Sequence, residues 1–311
     1  MQRNDRIVGI GANLGDIRGD LDAVRTQTNA LVALGADVVE MYASALGVVA
    51  DARLLPGRVA ELRRICAERP LAVTLHAPIP IDLMDRDNIA LHRAAARVSV
   101  DLAAEIGAAI VVIHAGRAAP DAWAADPDGL LAFERDELAQ LGDHAAAAGV
   151  RIALENISPN PAVIAGRLTS YSLDPAALAD QLRTLGHPGV TGCLDYSHAN
   201  QGAGLLGLDT LAGAQAMAPV TGHIHISEAS GVPALPSITA QSDWMYFGVG
   251  DMHAPLGTGC MDLDALADVS EVQPGSYAIL ELQGHARALL ADSLDRLRAF
   301  AGRVNALDAV A

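Results

Sequence analysis

The sequence predicts a single (β/α)8 barrel, one domain over residues 1–311, and two observations carry that expectation. Eight short β-branched apolar runs, each brief enough to be a strand buried on both faces, alternate with Ala/Leu/Arg/Glu-rich stretches of helical period. Eight such units in 311 residues fit a barrel of about 250 residues with insertions, and no Pro/Gly/Ser-rich linker divides the chain.

The runs, in order, are Arg6–Gly11 (RIVGIG), Asp37–Tyr42 (DVVEMY), Ala72–Ala77 (AVTLHA), Ala109–His114 (AIVVIH), Arg151–Asn156 (RIALEN), Val190–Tyr196 (VTGCLDY), Val220–Ser227 (VTGHIHIS) and Tyr277–Leu282 (YAILEL). The first continues into GIGANLG, whose Gly9, Gly11 and Gly15 miss the G-x-G-x-x-G spacing of a dinucleotide loop. Arg58–Arg69, Ile89–Ile106 and Ala176–Leu185 are the clearest helical stretches between runs. Two connections are longer than a barrel needs: Ser158–Asp174 after the fifth run, and Gly231–Gly250 after the seventh. The second carries Trp244, Tyr246 and Phe247 and is expected to be a lid against substrate.

Asp and Glu number 37 against 21 basic residues, for a formal charge of −16. Every basic residue is Arg; the absence of Lys excludes Schiff-base chemistry, a Walker-type phosphate lysine and a lysine-assisted hydride shift. So acidic a chain with only ten aromatic residues is a poor partner for nucleic acid and a better one for small substrates and divalent cations. No apolar run approaches the ~18–20 residues of a membrane span, and MQRNDRIVGI passes directly into a β-like run without a signal-like apolar region. Cys66, Cys193 and Cys260 lie far apart, as reduced thiols would, and Cys193 sits in an apolar run as a small core residue. A cytoplasmic location and no membrane partner are expected, with a homo-oligomer possible.

Six of the eight runs end in a metal-ligand type: His76, His114, Glu155, Asp195, His225 and Glu281. In a parallel barrel those ends converge on one mouth, where active sites of this architecture lie. His198 follows Asp195 by three residues in LDYSHA, and Asp251 and His253 stand two apart in DMHAPLGTG, so further donors can reach the same mouth. Imidazole and carboxylate together suit Zn, Mn, Fe or Co. Glu40, ending the second run, is expected behind the ligands or against substrate hydroxyls. His92, His144 and His187 read as surface residues, and His285 as either a mouth residue or a helix start. Gly257 and Gly259 read as a tight turn, and SEASG at Ser227–Gly231 as a modest anion site.

LHAP, VVIHAG, ALEN, LDYSHA, HIHIS, DMHAPLGTGCMD and LEL stand in the order found in the xylose isomerase-like barrel superfamily, which the chain resembles over about two thirds of its length. That group includes endonuclease IV and many sugar and sugar-phosphate isomerases and epimerases. The resemblance implies a TIM barrel in which Glu155, Asp195, His225 and Glu281 form the epimerases' four-ligand metal site. His198 would touch substrate or bind a second ion. With His76, His114, Asp251 and His253, the nine positions that hold three metals in endonuclease IV-type enzymes are all filled. His225 matches the family motif, and His223, one layer deeper, is expected in the core or behind the ligands.

Two reactions follow from the resemblance, both with one to three divalent ions (Zn, Mn, Co, Fe or Mg). The first is isomerisation or epimerisation of a small sugar, polyol or sugar phosphate through an enediolate, with Glu155 and Glu281 as opposed proton-transfer groups and His198 assisting. The second is multi-metal hydrolysis of a small phosphoester. A barrel that binds without catalysing is the third expectation, weakened by the opposed glutamates and the histidines at the mouth.

Overall fold

The computed structural model of the protein describes residues 5–235 and 237–307. Residues 1–4, which precede the first run in MQRNDRIVGI, and Pro236 within the long 231–250 connection lie outside the described residues. Eight parallel strands close a barrel: β1 (Ile7–Asn13), β2 (Val38–Tyr42), β3 (Ala72–His76), β4 (Ile110–His114), β5 (Arg151–Glu155), β6 (Val190–Asp195), β7 (Thr221–Ile226) and β8 (Ser276–Leu280). Each strand pairs with its sequence neighbours, and β8 closes on β1. All eight expected runs are strands, and β1 runs two residues further than expected. Gly11 is needed in β1 because a Cβ there would stand 1.7 Å from the Val38 carbonyl oxygen of β2. Gly11 of GIGANLG thus serves strand packing.

Helices cover the outside. The Ile89–Ile106 helix has the expected bounds and ends at Gly107 (φ 76°), the left-handed conformation that Gly adopts without strain. Pro175–Leu185 begins with Pro in its first turn, and the Asp174 carboxylate accepts from Ala176 N. Leu, Ile, Val and Ala from strands and helices form one large apolar cluster between the barrel and its helical coat. No helix among the described residues is long and apolar enough to cross a membrane.

Inside the barrel the strand period of two sorts residues into layers. Ile110, Val112, Ala153 and Cys193 form a separate small apolar cluster. Two residues on along the same strands stand His114, Glu155 and Asp195 at the mouth. Cys193 is fully buried, the core residue expected. Register brings ligand types level across neighbours: His114 opposite Glu155, Asp195 opposite His225, and Tyr42 opposite His76.

Three features depart from the sequence reading. A two-stranded hairpin pairs Val49–Ala50 with Arg53–Leu54 across Asp51 and Ala52, both at φ 50°; two-residue strands fall below any periodicity signal. The 158–174 connection is partly ordered as a one-turn helix, Pro161–Ile164, and a 3-10 turn, Tyr171–Leu173. His92, His144 and His187 are half-buried rather than free on the surface, each within hydrogen-bond distance of a carboxylate: Asp85 (3.2 Å), Asp101 (2.8 Å) and Asp143 (3.2 Å).

Candidate metal centre

The nine ligand types converge at the mouth. Glu155, on β5, is fully buried at the centre. Its Oε1 lies 2.9 Å from His225 Nδ1 and 3.7 Å from His198 Nδ1, and its Oε2 lies 3.3 Å from His76 Nε2 and 3.2 Å from His114 Nε2. Donor atoms of Glu155, Asp195, His225 and Glu281 lie within 4.8 Å of one another, and those of His198, Asp251 and His253 form a second such group. His76 and His114 flank Glu155, their ring centroids 5.1 Å apart. Beside these donors opens a cavity of about 190 Å³, reached by Tyr42, Trp244 and the long loops.

Backbone carbonyls decide which imidazole nitrogen faces inward. His76 Nδ1 donates to the Ala77 carbonyl (2.7 Å) and His198 Nδ1 to the Asn156 carbonyl (2.8 Å). A carbonyl oxygen only accepts, so in a neutral ring Nε2 keeps its lone pair toward Glu155 in one case and Asp251 in the other. Asn156 also brackets Asp195: its Nδ2 donates to the Asp195 carbonyl and its Oδ1 accepts the Asp195 amide. The Asp195 Oδ1 atom is occupied by Ser197 Oγ and the His198 amide, while Oδ2 is buried with no hydrogen-bond partner.

Glu155 Oε2, Asp195 Oδ2 and His253 Nδ1 are buried without hydrogen-bond partners among the described residues. Unpartnered buried oxygens are costly, and a cation between them satisfies them. The residues present therefore fit a divalent ion, and the mixed N/O donor set matches Zn, Mn, Fe or Co better than an all-oxygen cage for Ca or Mg.

Electrostatics points the same way. Burial disfavours charge on Glu155, yet the facing His225 and His114 hold its carboxyl well below the usual carboxylate range. Burial likewise opposes a charge on His198 and His225, but the surrounding carboxylates, Asp195 and Asp251 for the first and Glu281, Glu40 and Glu155 for the second, hold both well above the ordinary imidazole value. His253, opposed by burial and raised by Asp251, reaches about 9. Burial pushes Asp195 up and His114 down.

The expected site residues divide by layer. Glu40 does not reach the cavity: it is fully buried one layer below the mouth, where its Oε1 lies 2.9 Å from His225 Nε2 and its Oε2 accepts from Thr74 Oγ1 (2.9 Å) and meets His223 Nε2 (2.9 Å). Contact with substrate hydroxyls is thereby corrected to support of His225 from behind. His223 occupies the same deeper layer, as expected. Of the three aromatics, only Trp244 lines the cavity, its indole N–H donating to the Ile238 carbonyl. Tyr246 and Phe247 are 88% and 63% exposed, because they sit on the outer side of the short Gln241–Phe247 helix. His285 is exposed at the start of the 3-10 stretch Gly284–Leu289 and does not line the cavity.

SEASG is not an anion site. Its own Glu228, fully buried, accepts the amides of Gly257 (2.8 Å) and Met261 (2.8 Å), so an acidic side chain already fills that position. This clamp steadies the loop after His253, whose φ of 44° is strained for a non-glycine residue. Gly257 (φ 81°) makes the tight turn expected of it. Glu228 has no sequence signal. Tyr42 has one in its strand parity: it stands two residues after Glu40, hence in the mouth layer, and its hydroxyl donates to Glu281 Oε1 (2.7 Å).

Glu40→Gln should weaken metal binding by about 10–100-fold, the usual weight of a carboxylate behind a histidine ligand, while leaving the fold intact. Competitive titration with a chromogenic chelator measures this; unchanged affinity would remove Glu40 from the support of His225.

A family model described as xylose isomerase-like TIM barrel matches residues 29–300. No curated protein matches the chain in sequence. Among solved structures, a D-tagatose 3-epimerase-like protein is similar at TM-score 0.71 and 15% identity, covering 97% of this chain and 100% of its own. A 3-keto-D-glucoside 4-epimerase from E. coli matches at TM-score 0.63 and 17% identity, over 93% of this chain and 98% of its own. A protein from Thermus thermophilus, solved after soaking with ZnCl2, matches at TM-score 0.60 and 23% identity, over 94% and 98%. At these identities the likeness is one of fold.

Proposed function

The chain belongs to the xylose isomerase-like TIM barrel family, and on that premise we propose that it is a divalent-metal-dependent isomerase or epimerase of a small sugar, polyol or sugar phosphate. The observation that carries the reading is the convergence of two carboxylates from different strands, Glu155 and Glu281, with Asp195 and His225 beside a small cavity. Those four residues would hold the ion. When bound, it supplies positive charge that lowers the cost of removing a proton next to a carbonyl.

The protein's own groups then handle the proton. Glu155, held ionised by its histidine neighbours, accepts it from one face of the substrate carbon, and Glu281, tethered by the Tyr42 hydroxyl, serves the other. A proton taken from one face and returned on the other inverts the carbon. His198, steadied by the Asn156 carbonyl, lines the cavity and can orient a substrate hydroxyl. Ile79, Ile157, Pro159, Pro161 and Trp244 give part of the wall an apolar face. The absence of Lys leaves a proton route and removes a lysine-assisted hydride shift. A formal charge of −16 speaks against a nucleic-acid substrate.

A second reading has one observation in its favour. His198, Asp251 and His253 form a donor group of their own, and His76 and His114 flank Glu155, which is more than a one-ion epimerase requires. Such a set suits several ions clamping a phosphoester during hydrolysis. Metal-loaded protein incubated in D2O with a panel of ketoses and ketose phosphates should invert or isomerise one of them and place deuterium on the reacting carbon. Metal content near one ion per chain accompanies that outcome. Release of inorganic phosphate without inversion, with content near three, would replace the first reading by the second.

A further inference from the structure

We infer that the substrate carries a carboxylate or phosphate group, bound by Arg117 on the wall of the cavity beside the metal donors. This deepens the proposed function and rests on that cavity being the active site. The cavity lining is chemically mixed. The ligand set contributes imidazoles and carboxylates to it, and Arg117, Ser158 and Asn160 contribute a cation and neutral polar groups from the loops after β4 and β5. In a chain without Lys, Arg117 is, among the described residues, the one side chain of permanent positive charge on that lining. The side chain is 14% exposed.

Arg117 is held in place before any ligand arrives. It follows His114 by three residues, and the loop between them is tied from behind: the Gly116 amide donates to the buried Glu134 carboxylate (2.7 Å), Ser170 Oγ donates to the Gly116 carbonyl (2.7 Å), and Ala118 exchanges backbone bonds with Thr169. The Arg117 amide donates to Asp82, its Nη2 donates to the Ile79 carbonyl (3.3 Å), and its Nε stands 3.7 Å from Asp82 Oδ2. These contacts are long, and they engage one edge of the guanidinium. The planar fork retains donors for an anion, to which it pairs bidentately. Asn160 spends its Oδ1 on the amides of Ala162 and Val163, which leaves its Nδ2 as a second donor on the same cavity lining. A molecule with hydroxyl and carbonyl oxygens for the metal-donor set and an anionic group for Arg117 matches this lining.

The test is calorimetric titration of metal-loaded protein with inorganic phosphate and, separately, with sodium gluconate. Wild type should bind at least one, and the tighter of the two distinguishes a phosphate-bearing from a carboxylate-bearing substrate. Arg117→Gln should weaken that binding at least about tenfold at unchanged metal content, and Arg117→Lys, which keeps the charge but not the fork, should restore only part of it. If Arg117→Gln alters metal content, Asn160→Asp takes its place; Asp is also a good helix N-cap, and the negative charge it adds to the lining should weaken binding similarly. Equal affinity in the variants, as an anion held by the metal alone would give, overturns the inference, as does no binding by wild type. Absence of deuterium incorporation with intact Arg117-dependent binding would instead overturn the proposed reaction alone.

Discussion

Glu155→Gln should lower turnover by about 10²–10⁴-fold, the usual weight of a positioned acid–base group, and strip metal from the protein as well. The carboxylate lies within 2.9–3.7 Å of four imidazoles, those of His76, His114, His198 and His225. Gln keeps the shape but loses the charge, and one of its two terminal atoms becomes a donor directed at nitrogens that must present lone pairs. Both expected roles, ligand and proton acceptor, fail together. Mass-spectrometric metal analysis alongside the D2O assay reads both, with Glu137→Gln, paired to Arg93 on the outer helices, as the control. A variant with full metal content and full turnover would remove Glu155 from both roles.

Loading the metal-free protein with Zn or Mn should raise its melting temperature on the order of 10 °C, more at pH 9 than at pH 6.5. Glu40, Glu155, Asp195 and Glu281 are buried together, and an ion that binds only the folded chain stabilises it by mass action, about 4 kcal/mol at a thousandfold excess over Kd. That corresponds to roughly 2–4 °C per kcal/mol in a large domain. The pH dependence follows from His253, raised to about 9, and from His198, raised well above the ordinary value. In the metal-free fold these protonated imidazoles pair with Asp251. Because the folded value is raised, that stabilisation is complete below about 6.5 and is lost as pH climbs through about 9. An ion must displace the same protons, so its affinity grows over the same interval. Scanning calorimetry with and without metal across that range measures the gap; a gap that shrinks with rising pH would exclude these histidines as ligands.

The eight strands, and the ligand type at the end of six of them, were legible because both rest on local signals. An apolar run of five or six residues is a strand wherever a partner exists, and a parallel barrel sends all such ends to one mouth. Counting two residues back from His225 places His223 one layer below it. The same count applied to DVVEMY puts Glu40 in that deeper layer and Tyr42 at the mouth. The residue type of Glu40 suggests contact with substrate, whereas its strand parity assigns it to the support of His225.

Other features had no local signal. Whether Tyr246 and Phe247 face the cavity depends on how a seven-residue helix docks over the mouth, and only Trp244 turns inward. Glu228 reads as a loop acid until the chain folds back and presents the amides of Gly257 and Met261. Arg117 is one of 21 arginines until the loops after β4 and β5 close around it.

By itself, then, the sequence determined the barrel, the strand ends that carry donors and the exclusion of lysine chemistry, since periodicity, strand parity and composition are properties of neighbours along the chain. The tertiary structure alone decided which donors share an ion-sized space, which acid lies behind a ligand, and where the fixed cation of the cavity wall stands. Those are contacts between residues tens to hundreds of positions apart, and closure of the barrel is what brings them within a few ångströms.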